Sequence, residues 1–94
     1  MRIDKFLKVS RLIKRREVAK QLCDDGDVFL NGKVAKPSSE IASGDEVKLI
    51  LGRHTIVVRI NDVRPFVKKN EAEALYEVIS DEIAERSSPN GTEA

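Results

Sequence analysis

The chain has few aromatic residues and little cysteine. Only 4% of its 94 residues are aromatic, tryptophan is absent, and Cys23 is the one cysteine. A single cysteine excludes an internal disulfide and a zinc site built from paired thiolates, so we expect no metal and no cofactor. The scarcity of aromatic rings disfavours an exposed platform for stacking bases and favours recognition of nucleic acid by shape and phosphate.

Long apolar runs are also missing. No stretch of about 18 apolar residues is present to cross a bilayer. The N-terminus lacks the apolar segment of a secretory signal, so we expect a cytoplasmic protein. Hydrophobic residues make up 40% of the chain and charged residues 35%, a balance that predicts one globular domain with a heavily ionised surface.

Charge is distributed unevenly along the chain, although the net charge is only +1. Residues 1–20 carry a net charge of +6 and residues 71–94 a net charge of −6. Arginine pairs with phosphate oxygens through two parallel hydrogen bonds, so the basic segment predicts RNA binding, with a solubilising face as the alternative. The candidate RNA contacts in this segment are Arg2, Lys5, Lys8, Arg11, Lys14, Arg15, Arg16 and Lys20.

The spacing of apolar residues predicts two short N-terminal helices. Apolar residues step by three and four through residues 3–10, where Asp4 is the N-cap candidate. The same spacing returns in residues 18–23 and stops before Gly26, which can adopt the left-handed conformation that ends a helix. Cys23 lies on this second apolar stripe, and we expect it in the core.

Two arginines of the basic segment carry different expectations. Arg16 lies near the predicted start of the second helix, where free backbone amides and the helix dipole also favour a phosphate. It is therefore the first choice for an RNA contact. Arg11 follows the first helix, and it either contacts RNA or has a structural role, pairing with Asp4 or capping helix carbonyls.

Alternating apolar residues predict four strands after the helices. Asn31-Gly32 separates the first two and indicates a type I′ hairpin turn. Two more strands are expected at residues 47–51 and 55–60. If the hairpin tip lies beside the basic helices, three further side chains can contact RNA: Lys33, Lys36 and Ser38.

The C-terminal part predicts a helix and a tail. Residues 71–83 place their apolar side chains on one stripe, which indicates an amphipathic helix. Its acidic face is expected to be solvated, with docking of a partner as the alternative. Residues 87–94 have the composition of a disordered end.

No pattern indicates catalysis. His54, the only histidine, falls in a predicted turn without a neighbouring acid or thiol. The serines lack the context of a nucleophile elbow, and no phosphate-binding glycine loop is present. We therefore predict a protein that is not an enzyme.

Part of the sequence resembles a known family. The segment RIDKFL at residues 2–7 is followed by Ser10-Arg11, Arg16, Asn31-Gly32 and Lys36-Pro37-Ser38, in the order and spacing of the S-four-type RNA-binding domain, or alpha-L motif. The resemblance covers residues 1 to about 51 and implies two helices packed on a small sheet. Three leading RNA contacts and one helix-capping residue are implied by motif position: Arg2, Lys5, Arg16 and, for the cap, Asp4.

Two residues depart from the pattern of that family. Arg15 and Glu17 stand where relatives commonly carry small polar residues, so contacts at the start of the second helix can be rearranged. The spacing of apolar residues and the resemblance together predict an α+β fold. It has two N-terminal helices on a small, mostly antiparallel four-stranded sheet, plus a C-terminal helix and a disordered tail. The expected single RNA-binding domain spans residues 1–86, with its core at 1–51, the fourth strand and C-terminal helix at 52–86, and the tail at 87–94.

The segment NEAEALYE at residues 70–77 resembles the RqcP (YabO) branch of that family, which is related to the fifteen-kilodalton ribosome-associated heat-shock protein. The resemblance implies a quality-control factor that binds stalled large ribosomal subunits and supports RqcH-directed alanine tailing. The implied partners are large-subunit ribosomal RNA, peptidyl-tRNA and an RqcH-like tailing factor, and we expect a monomer away from the ribosome. Two alternatives remain: a protein-interaction module using the acidic C-terminal helix, and an accessory factor to an RNA-modifying enzyme.

Overall fold

Two short α-helices, a 3-10 helix and one five-stranded antiparallel sheet form the part of the chain that the computed structural model describes, residues 1–83. The predicted α+β class is confirmed, while the predicted count of four strands is wrong by one. The strands lie in the order β2-β1-β3-β4-β5. The elements are α1 Ile3–Val9, α2 Arg16–Asp24, β1 Val28–Leu30, β2 Lys33–Val34, β3 Glu46–Leu51, β4 His54–Ile60, a 3-10 helix Lys69–Leu75 and β5 Tyr76–Ile83.

The start of α1 differs from the prediction. Arg2 occupies the N-cap position, and Asp4 lies inside the first turn with its side chain buried. The first amides of α1 do not need a side-chain cap, because backbone carbonyls of a neighbouring loop accept from them. The N–H of Ile3 donates to the carbonyl of Ser39 at 2.8 Å, and that of Asp4 donates to the carbonyl of Pro37 at 3.3 Å. The prediction that Asp4 is the N-cap is therefore wrong.

The end of α2 is where the sequence predicts it. Gly26 follows the helix with a φ of +80°, in the left-handed region. Its N–H donates to the carbonyl of Cys23 at 3.0 Å, and the N–H of Asp27 donates to the carbonyl of Leu22 at 2.9 Å. This pair of hydrogen bonds is the Schellman motif, which satisfies carbonyls at a helix end.

The hairpin between β1 and β2 turns at Asn31-Gly32, as predicted. Both residues have positive φ, 51° and 86°, which a type I′ turn requires. The side-chain oxygen of Asn31 accepts from the N–H of Glu46 at 2.9 Å, and its side-chain nitrogen donates to Asp45 at 3.2 Å. The hairpin tip is thereby bonded to the start of β3.

The predicted C-terminal helix over residues 71–83 is wrong for most of its length. A 3-10 helix ends at Leu75, and β5 then pairs antiparallel with β4 from His54 to Ile60. β5 satisfies backbone groups that β4 would otherwise present as an unpaired edge, and β-branched residues such as Val78 and Ile79 suit a strand. The predicted stripe is divided, since Leu75 is buried and Ile79 is 44% exposed.

One hydrophobic core joins both helices to the sheet. Cys23 is 4% exposed, which confirms its predicted place in the core. Burial, together with the nearby charges of Asp4 and Asp24, raises the pKa of its thiol to about 11, so the thiol stays protonated near neutral pH. The buried core residues are Ile3, Phe6, Leu7, Ile13, Ala19, Cys23, Val28, Ala35, Ile41, Val47, Leu49, Val58, Ile60 and Leu75.

Within residues 1–83, no helix is long and apolar enough to cross a membrane. The same residues contain no group of three or more His, Cys, Asp and Glu side chains arranged to hold a metal ion. His54 begins β4 and hydrogen-bonds with Asp81 on β5 at the protein surface. The predicted tail, residues 87–94, lies outside the described residues, as does the end of the domain predicted to reach residue 86.

Candidate nucleic-acid interface

A buried carboxylate joins the starts of the two helices. Asp4 is fully buried, and its two oxygens accept from different arginines. Oδ2 accepts from Nη2 of Arg2 at 3.1 Å, and Oδ1 accepts from Nη2 of Arg16 at 3.3 Å. The backbone N–H of Lys5 adds a third hydrogen bond to Oδ1 at 2.8 Å. The sequence motif therefore brings together two arginines that are 14 residues apart, through an acid that we had assigned to helix capping.

This cluster leaves both arginines able to bind a ligand. Their side chains are 45% and 43% exposed, although the carboxylate between them is buried. A guanidinium has five N–H donors, and each arginine donates one to Asp4, so donors remain for solvent or an anion. Burying a carboxylate without partners costs several kcal/mol, about 3–5 when one partner of a buried pair is lost. The cluster thus holds two guanidinium groups side by side with a net charge of +1.

Next to this cluster lies an open cleft of about 640 Å³. α1, the turn after it and the start of α2 form one side, and the connection between β4 and the 3-10 helix forms the other. Five of the lining side chains are cationic and none is acidic, which concentrates positive potential in a concave surface. The lining residues are Lys5, Lys8, Val9, Arg11, Ile13, Lys14, Arg16, Pro65, Phe66 and Val67.

Arg11 ends the first helix with its backbone and lines the cleft with its side chain. It follows the C-cap residue Ser10 with a φ of +65°, in the left-handed position where glycine is the commonest residue. Its backbone N–H donates to the carbonyl of Lys8 at 3.0 Å, which is the structural role. Its side chain lines the cleft, and the partners of Asp4 are other arginines, so the suggested pairing of Arg11 with Asp4 is wrong.

The structure gathers some of the predicted contact residues and separates others. The loop at residues 36–39 contacts the start of α1 through the hydrogen bonds of Ser39 and Pro37. The roles of the predicted contact residues in binding RNA stay predictions. The cleft is lined by five of the predicted contacts, Lys5, Lys8, Arg11, Lys14 and Arg16, and Arg2 lies beside it. The loop at the start of α1 contains Lys36 and Ser38. The other three predicted contacts are exposed elsewhere: Arg15, Lys20 and Lys33.

Residues 65–67 complete the cleft and were missed by sequence reasoning. Phe66 is 84% exposed, while the sequence predicted no exposed aromatic platform. A usable signal was present, since this phenylalanine lies in a polar connection that the alternation pattern assigns to no strand. Nearby, Nε of Arg64 donates to Asp62 at 2.6 Å, and this hydrogen bond lowers the pKa of the Asp62 carboxyl.

Comparison with known proteins gives the class of protein first: residues 1–47 match the family model of the S4 domain. Over 87 residues the chain is 47% identical to the RQC P-site tRNA stabilizing factor of Halalkalibacterium halodurans, covering 93% of this chain and 99% of that protein. The protein of the same name from Bacillus subtilis is 45% identical over 82 residues, which cover 87% of this chain and 95% of that one.

The fold is also found in a solved structure. The trimeric structure of Vibrio cholerae Heat Shock Protein 15 superposes with a TM-score of 0.79 at 30% identity, covering 85% of this chain and 82% of that chain. The chain therefore belongs to the S4-domain family, in the branch of the RQC P-site tRNA stabilizing factors. The resemblance that the sequence motifs carried is confirmed.

Proposed function

We propose that this chain is an RNA-binding factor that steadies peptidyl-tRNA against ribosomal RNA on stalled large ribosomal subunits. The relatives support a non-enzymatic role in ribosome-associated quality control. The observation that carries the proposal for this chain is the buried Asp4, which holds Arg2 and Arg16 beside a cleft with five cationic side chains. This chemistry suits the phosphates of folded RNA.

The mechanism is positional. Guanidinium groups held by Asp4 lose little further side-chain freedom when a phosphate binds, and less lost freedom leaves more of the interaction energy for affinity. Each neutralised phosphate also releases condensed counterions. The bound factor then fixes tRNA relative to the ribosome while another protein extends the nascent chain, and no bond is broken by this chain itself.

The proposal includes an RqcH-like tailing factor as a functional partner, action in the cytoplasm, and a monomeric state away from the ribosome. The names of the relatives as factors of RQC support the first of these. The alternative, a protein-interaction module, depends on an acidic C-terminal helix. That helix is not formed as predicted, since Tyr76–Ile83 form β5.

The test is recovery of the tagged protein from cells with stalled ribosomes. We expect free large subunits carrying peptidyl-tRNA to come with the wild type. We expect Arg16→Ala to reduce this recovery about tenfold or more, because a hydrogen bond to a charged group contributes about 1.5–3 kcal/mol. Arg59→Ala is the control for the loss of one arginine, since Arg59 pairs with Glu46 and Glu77 on the sheet and is not part of the cleft.

Two results would contradict the proposal. Enrichment of intact ribosomes or messenger RNA in place of free large subunits would remove the quality-control assignment. Equal recovery with Arg16→Ala and Arg59→Ala would remove the cleft from the binding site.

A further inference from the structure

Phe66 presents an aromatic ring to solvent inside the basic cleft. Phe66 is 84% exposed, whereas Phe6 is fully buried and Nζ of Lys48 lies over the ring of Phe29, 4.6 Å from the ring centroid. Nζ of Lys5 lies 5.8 Å from the centroid of Phe66, and the high exposure means that most of the ring remains free. A large apolar ring in water forgoes the stabilisation that burial would give, so a ligand that covers the ring gains that stabilisation.

The connection that carries Phe66 is fixed on both sides of the ring. Val63 and Val67 pack against the hydrophobic core. Asp62 accepts from the N–H of Val63 at 2.9 Å and from the side chain of Arg64 at 2.6 Å. The proline at the preceding position also restricts the backbone. A ring presented from such a connection loses little freedom on binding, which favours its use in recognition.

The surroundings of the ring decide which ligand it fits. Apolar side chains of Val9, Ile13 and Val67 lie on the walls of the cleft, together with the cationic groups. A ligand that matches both has flat apolar faces joined to negative charge, which is the chemistry of a nucleotide in RNA. A protein partner would need an acidic surface with an apolar side chain at the same spacing, and the absence of any acid among the lining residues favours the polyanion.

We propose that Phe66 stacks on an unpaired RNA base while the cationic side chains of the cleft bind the flanking phosphates. This inference rests on the RNA binding of the proposed function and adds a preference for RNA with an unpaired base. Bases inside a duplex stack on each other, so away from the ends of the helix only a loop, bulge or extruded nucleotide offers a free face. The cleft therefore selects RNA with an unpaired base at the site of contact.

The test uses the full chain and two synthetic RNAs, a hairpin with an unpaired loop and a blunt duplex of the same stem. We expect Phe66→Ala to weaken hairpin binding about 5- to 150-fold, the range that loss of a stacking ring gives. Duplex binding should stay within about twofold, since it depends on phosphate contacts. Phe66→Leu keeps an apolar side chain without an aromatic face and should behave like the alanine variant.

Phe66→Trp allows base stacking to be followed by tryptophan fluorescence. The chain has no tryptophan, so this variant carries a single tryptophan, placed at the proposed stacking site, whose emission can be excited selectively. We expect it to keep the hairpin affinity and its fluorescence to be quenched by the hairpin but not by the duplex. These variants alter a side chain that is 84% exposed, so the fold should be retained, and near-identical circular dichroism spectra check this.

The outcomes separate the two proposals. If the wild type binds both RNAs and Phe66→Ala weakens neither, or weakens both equally, the stacking proposal is overturned, the exposed ring is left to a protein partner, and the RNA-binding proposal stands. If the wild type binds neither RNA at low salt, the RNA-binding proposal fails and the stacking proposal with it.

Discussion

Asp4 is an acid in a basic segment, and it organises that segment. Charge counting treats it as one negative charge against eight positive ones in residues 1–20. In the structure it is buried and bonded to Arg2 and Arg16, so removing its charge affects both the fold and the orientation of two arginines. The basic segment and the family motif both identified the two arginines, but the ion pairs depend on the three-dimensional approach of the helix starts.

We predict that Asp4→Asn lowers the free energy of unfolding by about 1–3 kcal/mol, because two charge-assisted hydrogen bonds are lost and the partners are partly solvated. Urea denaturation measures this change. Glu40→Gln is the control, since Glu40 pairs with the N-terminal ammonium group at 3.2 Å and its side chain is 76% exposed. Exposed pairs contribute at most about 1 kcal/mol. Equal stability of Asp4→Asn and the wild type would contradict the structural role of Asp4.

The pKa of Cys23 predicts a dependence of stability on pH. Its pKa is raised from the ordinary value of 9.0 to about 11 in the folded protein. Below about pH 8 the thiol is neutral in both states, and its effect on stability is constant. As the pH rises from 9 towards 11 the unfolded chain ionises while the folded chain resists, so the fold loses stability.

We expect the free energy of unfolding of the wild type to fall by about 1 kcal/mol more than that of Cys23→Ala between pH 8 and pH 10. Urea denaturation at the two pH values gives both numbers. Comparing the two proteins cancels the titration of Tyr76, which both contain. The pKa of Tyr76 is also raised, mainly by burial and to a smaller extent by the charge of Glu73. Parallel loss of stability in the two proteins would show that the thiol ionises freely in the fold.

At the scale of elements, short sequence motifs correctly predicted the turns, whose conformation depends on the residues within them. Asn31-Gly32 and Gly26 have the positive φ values that their turns require, and both turns were identified correctly. β5 was not predicted, because a strand at the edge of a sheet is stabilised by pairing with a partner distant in sequence. The apolar spacing in residues 71–83 fits a helix by period, and only the free edge of β4 decides against it.

Val78 distinguishes the strand from the predicted helix. Its Cα pairs with that of Val58 across β4 and β5. We predict that Val78→Ala lowers the free energy of unfolding by about 0.5–1 kcal/mol, since alanine is a poor strand former. In a helix the same change would raise stability, because alanine is the best helix former. Val78→Thr, which keeps the β-branch, should stay within about 0.5 kcal/mol of the wild type in urea denaturation.

At the scale of the whole described molecule, the lining of the cleft holds five cationic side chains and no acid, while acidic and basic side chains pair with each other on part of the sheet. On that part, Arg59 pairs with Glu46 at 3.6 Å and with Glu77 at 3.8 Å. The basic block of residues 1–20 predicted this cationic surface in outline. The cleft itself was not predicted, because residues 65–67 approach α1 only in the folded chain.

The cleft predicts a steep dependence of RNA affinity on salt. With about five phosphate contacts, the logarithm of the binding constant should fall against the logarithm of salt with a slope near −3.5 to −4.5. Arg16→Ala should make the slope shallower by about 0.7–0.9, the share of one contact, and Arg59→Ala should leave it unchanged. Fluorescence anisotropy across a salt series measures all three slopes. A flat response in the wild type would exclude phosphate recognition.

The left-handed backbone of Arg11 has a consequence for protein engineering. A search for stabilising substitutions would select glycine at this position, since an ordinary residue in this conformation costs about 1 kcal/mol relative to glycine. Arg11→Gly would also remove one of the five cations of the cleft. Thermostability and affinity for RNA therefore compete at position 11, and a variant improved for one property should be screened for the other.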